Sequence, residues 1–73
     1  MPAYEFYIED SGYSALEFRV VIVRDEARAR EIAARILEES PHYIGVEVRL
    51  SSRRIFALGS LSDERLRPAG AVA

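Results

Sequence analysis

Apolar residues in this chain change period twice, and that change leaves few folds open. After Asp25, a good helix N-cap, Ala29, Ile32, Ala33, Ile36 and Leu37 recur at i, i+3, i+4, i+7 and i+8, one stripe at the helical period. Glu26 with Arg30 and Glu31 with Arg35 stand outside the stripe in the favourable i, i+4 orientation. Ser40-Pro41 ends the segment, because proline disfavours helical dihedrals in the residue before it.

Before the helix the period is two. Tyr4, Phe6 and Ile8 alternate with Glu5, Tyr7 and Glu9, and Leu16, Phe18, Val20 and Ile22 alternate with Glu17, Arg19, Val21 and Val23, so two strands with one buried face each are expected. The intervening DSGYS carries turn residues, and an odd-length loop puts Phe6 and Phe18 on a common face. A five-residue loop opposes Glu5 to Arg19, whereas a three-residue loop opposes Glu5 to Glu17. After the helix, Ile44, Val46, Val48 and Leu50 alternate with Tyr43, Gly45, Glu47 and Arg49, and a last strand runs from Ile55 to Leu58.

These elements predict an α+β domain of order ββαββ, a four-stranded sheet with one helix packed on one face. A right-handed crossover through the helix makes the second and third strands parallel and leaves strand order open. The domain spans residues 1–60. Beyond it, residues 61–73 are expected to form one helical turn, with Ser62 as N-cap and Leu61 and Leu66 as a staple, and a frayed tail after Pro68. The expected core is Phe6, Phe18, Val20, Ile22, Ile32, Ile36, Leu37, Val46 and Val48.

The face taken by Phe56 depends on the parity of the last turn, since a one-residue slip turns every side chain over. Two- and three-residue hairpin loops favour Gly or Asn at positive φ, and SSRR supplies neither, so a four-residue loop over 51–54 pairs Leu50 with Ile55. In that register Ile55 and Ala57 face the helix. Phe56 and Leu58 then lie on the open face of the sheet, near Tyr7, Val21, Val23 and Tyr43, and form an apolar patch of the kind that marks an interface. Gly45 falls on the open face too, where a missing side chain lets another group approach closely.

Composition narrows the function classes. With 73 residues and no cysteine there is neither a disulfide framework nor a thiolate metal site, and a core of this size supplies only about 3–5 kcal/mol by itself, so a second copy is an expected source of further burial. The longest aliphatic run, residues 20–23, is far below the roughly 20 residues that span a bilayer, and the opening MPAYEFYIED has no basic flank or apolar signal core. A soluble cytoplasmic protein with no membrane partner is expected.

The formal charge of −2, from 12 acidic and 10 basic residues, argues against general affinity for nucleic acid. All ten basic residues are Arg, and Lys, Asn, Gln and Thr are absent, a bias suited to a GC-rich bacterial genome. His42 has no neighbouring ligand at metal spacing and reads as an exposed turn residue. Glu5, Glu9, Glu17 and Glu47 are what polar alternation on a sheet produces. With no nucleophile elbow, phosphate loop or metal motif, neither catalysis nor a cofactor is expected.

The chain is therefore expected to be a non-catalytic interaction or regulatory module, acting as a homodimer or docked on a larger protein. Its expected interface is Tyr7, Val21, Val23, Tyr43, Phe56 and Leu58, packed face to face in preference to edge-joined. The alternative is a nucleic-acid-associated regulator that grips phosphate with Arg49, Arg53 and Arg54 of the second hairpin. The combination of YEFYIED, DEARAREIAARILEE and VEVRLSSRRIFALG resembles small ββαββ proteins of GC-rich proteobacteria. That group has no assigned activity, so the resemblance implies the fold only.

Overall fold

The computed structural model describes residues 1–61. The helical turn and tail expected beyond Leu61 lie outside the described residues.

Strands β1 (Ala3–Asp10) and β2 (Glu17–Ile22), helix α1 (Glu26–Glu39), and strands β3 (Tyr43–Leu50) and β4 (Arg53–Gly59) follow in the order ββαββ. One sheet of order β2-β1-β3-β4 holds all four strands, and each neighbouring pair is antiparallel. Because β2 and β3 both run antiparallel to β1, they are parallel to each other with β1 between them. β1 and β3 are the central strands, and β2 and β4 are the edges.

The helix forms where the stripe predicts it. The Asp25 carboxylate accepts from the Arg28 amide at 2.9 Å, and Glu26 pairs with Arg30 at 2.9 Å. Glu31 pairs with Arg28 one turn back. Ser40 is extended, at φ −154° and ψ 140°, which terminates the helix ahead of Pro41. Ala29, Ala33 and Ile36 are buried against the sheet, and α1 packs chiefly on β3 and also on β4. Small residues at 29 and 33 let the helix sit close to the strands beneath it.

The core is Tyr4, Phe6 and Ile8 of β1, Val46 and Val48 of β3, Phe56 of β4, Val23, and the helix stripe. The expected core members Phe18, Val20 and Ile22 are not in it, being 53%, 54% and 63% exposed. The cause is register: Phe6 lies opposite Arg19 and Tyr7 opposite Phe18, so the connection has even parity and β2 is turned over relative to expectation. Glu5 faces Val20, not Arg19 or Glu17. The connection occupies residues 11–16. Asp10 organises it by accepting from the Gly12 amide at 2.7 Å through its side chain and from the Tyr13 amide at 3.1 Å through its carbonyl, an Asx-type turn. The Ser11 amide donates to the His42 carbonyl at 2.8 Å, which pins the loop to the start of β3.

The second hairpin corrects another expectation. Its loop is the two residues Ser51 and Ser52, both left-handed at φ 52° and 67°, with Leu50 opposite Arg53. Farther along, Val48 faces Phe56, so the register shifts by one and Ile55 is the extra residue of a β-bulge. The turn has the expected even parity, and the bulge reverses its effect. Phe56 therefore points toward α1, is 7% exposed, and lies under the Arg30 guanidinium at 4.4 Å from the ring centroid.

A second shift sets Asp10 opposite Tyr43 and Glu9 opposite Gly45, with Ile44 as the extra residue. Gly45 is needed where it stands. A β-carbon there would come 2.9 Å from the Leu61 amide nitrogen, so the chain leaving β4 occupies the space a side chain would fill. Gly59, at φ +70°, makes that exit, and a β-carbon on it would collide with the Ile44 carbonyl oxygen.

Candidate interaction surface

The face of the sheet away from α1 divides into an ionic half and an apolar half. Over the central strands and β4, Glu5 lies opposite Arg49, and Arg49 lies opposite Arg54. Glu47 draws in both arginines, with Arg49 Nη2 at 3.4 Å and Arg54 Nε at 3.5 Å. Arg54 also donates to the Leu61 carbonyl at 2.7 Å. The Arg49 guanidinium rests 5.3 Å from the centroid of Tyr7. Glu5 Oε1 and Arg49 Nε are buried there without a hydrogen bond. Glu47 thus turns Arg49 and Arg54 inward along the sheet, and of the three arginines expected at a phosphate only Arg53 stands apart from this cluster, at an open groove beside Leu50, Ser51 and Ile55.

The apolar half belongs to β2. Phe18, Val20 and Ile22 lie side by side on the open face, and Leu16 is exposed just before the strand. Phe18 stacks on its cross-strand neighbour Tyr7 at 5.1 Å between centroids, with the rings tilted by 50°. Of the six interface residues expected from sequence, only Tyr7 is on this face. Phe56 and Val23 are buried in the core, while Val21, Tyr43 and Leu58 are partly buried against it on the helix side. The two turned-over registers exchange the roles: β2 supplies the exposed patch that β4 was expected to supply. One signal for this is in the sequence. β2 and its continuation are apolar on both alternations, Phe18, Val20 and Ile22 on one and Val21 and Val23 on the other, so periodicity alone does not choose its buried face.

The helix-side face of β2 is held by a polar network. Arg19 donates to Glu17 at 2.6 Å, to both carboxylate oxygens of Glu39 at 3.1 and 3.2 Å, and to the Tyr43 hydroxyl at 3.3 Å. Tyr43 in turn donates to Glu17 at 2.8 Å. Hydrogen bonds from Arg19 and then Tyr43 hold the Glu17 carboxyl below its usual range. Glu39 and Glu17 hold the proton on Arg19 more firmly than usual, and donation to Glu17 pushes the Tyr43 phenol up. Joined in this way, β2, α1 and β3 fix Arg19 on the helix side and Phe18 and Val20 on the other.

The other candidate residues lie apart from one another. His42 is exposed at the α1–β3 turn, its Nδ1 3.4 Å from the Ser11 hydroxyl. Glu9 accepts from the Ser60 hydroxyl. Among the described residues no three His, Cys, Asp or Glu side chains converge as a metal site, and no helix is long and apolar enough to cross a membrane. No protein-family model, curated protein or solved structure matches the chain.

Proposed function

We propose that this protein is a non-catalytic interaction module that self-associates through the apolar stripe of β2. The observation that carries the reading is the exposure by more than half of Phe18, Val20 and Ile22, three adjacent apolar side chains on one face of an edge strand. Single exposed apolar residues are common on protein surfaces. A contiguous row on a sheet edge combines an apolar patch with unpaired backbone groups. With Leu16, the row presents on the order of 400 Å² of side-chain surface, about half of the ~800 Å² per partner of a standard interface. Unpaired β2 backbone and Tyr7, stacked on Phe18, enlarge the area available.

A second copy is the occupant that the stripe fits by itself. The row Phe18, Val20, Ile22 reads large, small, large in either direction, so a two-fold axis matches it to itself without any other surface. Nucleic acid fits less well, because Glu47 already engages two of the three arginines that would grip phosphate.

Size exclusion with light scattering tests the reading. Wild type should elute with twice the chain mass, and Val20→Glu should elute as a monomer with unchanged circular dichroism, since position 20 is outside the core. A wild type that stays monomeric throughout the micromolar range overturns it.

A further inference from the structure

We infer that the second copy docks by antiparallel pairing of its β2 with β2, about a two-fold axis centred on Val20, which continues the sheet to eight strands. This rests on the reading of the β2 stripe as the self-association surface and specifies its geometry.

The two sheet edges are treated differently. β4 carries Arg53, which stands apart from the Glu47 cluster, and a bulge at Ile55, devices that discourage a further strand from pairing. The β1–β2 ladder runs without a register shift, and β2 has no proline and a single basic residue, Arg19, whose guanidinium is turned back onto Glu17 and Glu39. The pairing-competent edge is therefore β2. Stacking two open faces would place the ionic half, with Glu5, Glu47, Arg49 and Arg54, beneath a second sheet and strip those charges of their water. Edge pairing leaves that half in water.

Register follows from the pleat. Residues directly opposite across an antiparallel pair share a face, so a two-fold between two β2 strands passes through a residue position. Centring on Arg19 would oppose two guanidiniums. Centring on Val21 would leave Phe18 opposite Arg24. Centring on Val20 pairs Val20 with itself and Phe18 with Ile22 of the other copy, so all three exposed side chains of each chain join one continuous row.

The helix side supplies a separate observation. An open groove of about 440 Å³ runs beside the end of β2, floored by Val21, Val23 and Ile32 and rimmed by Arg24 and Arg28. The Val20-centred register sets Glu17 of the other copy opposite Val23, so the neighbouring strand covers the apolar floor, while Arg24 and Arg28 keep their own carboxylates, Asp25 and Glu31.

The chain has no cysteine, so single-cysteine variants report the register directly. Paired Cα atoms lie about 4.5–5.5 Å apart, within disulfide reach, whereas Phe18 and its own copy would be offset by about 13 Å along the strands at roughly 3.3 Å per residue. Under mild oxidation Val20→Cys should cross-link to a covalent dimer. Phe18→Cys alone and Ile22→Cys alone should cross-link at least about ten-fold more slowly, and their equimolar mixture should cross-link efficiently. Light scattering on the same samples separates the two levels of inference. A dimer that cross-links without preference for Val20 and for the Phe18/Ile22 mixture overturns the edge register and leaves self-association standing. A monomer that does not cross-link overturns both.

Discussion

Phe18 and Phe56 are both phenylalanines on edge strands, and they have opposite fates. Phe56 is enclosed by the core and covered by Arg30, while Phe18 stacks on Tyr7 with half its surface in water. Phe56→Ala should therefore cost about 3–5 kcal/mol, most of the stability of a domain this small, and Phe18→Ala about 1 kcal/mol or less. Urea melts at the lowest practical concentration check the pair, and equal losses would contradict the bulge at Ile55. Arg19 gathers Glu17, Glu39 and Tyr43 into a network that links β2 to the helix. The folded state lowers the Glu17 pKa, so its contribution to stability is present above the unfolded value of about 4.3 and is lost as pH falls through the lower folded value. Wild type should exceed Glu17→Gln in urea midpoint at pH 7, and the gap should close on acidification through that window. A gap independent of pH would show that the charge on Glu17 is immaterial.

At the scale of elements, the two hairpins show how one residue decides a face. The first hairpin reaches even parity through the Asx-type turn of Asp10 and the tie from Ser11 to His42. The second combines an even two-residue turn with a bulge and so attains the net register of an odd loop. Its two serines hold left-handed backbone at a cost of about 1–2 kcal/mol each, which Asn and Gly avoid. Ser51→Asn with Ser52→Gly should raise the melting temperature by several degrees, on the order of 4–8 °C per kcal/mol for a domain of this size. Calorimetry measures it, and a lowered melting temperature would mean that the serine side chains contribute more than the backbone strain costs. The helix needed no such adjustment, because its cap, stripe and terminator all lie within one local segment.

At the scale of the whole molecule, the proposed association through β2 would make stability depend on concentration, since a dimer is linked to the folded state by mass action. The melting temperature of wild type should rise over a hundred-fold increase in protein concentration, and that of Val20→Glu should stay constant. A wild type with a constant melting temperature would count against a dimer in equilibrium with unfolding. How the chain divides between sequence and tertiary structure follows the range of the interactions involved. Element order, the helix between Asp25 and Ser40, the burial of Phe6, Val46 and Val48, and the parallel relation of the second and third strands were all legible, because each depends on local period or on chain connectivity. The faces taken by Phe18 and Phe56 were not. A period of two names two alternating sets of residues and does not say which set is inside, and the choice rested on single-residue offsets, a six-residue connection pinned to His42 and a bulge at Ile55. Only the assembled sheet sets those offsets: β2 lies away from the strands on which α1 chiefly packs, so its apolar row can remain outside, and Phe56 gains enclosure beneath α1.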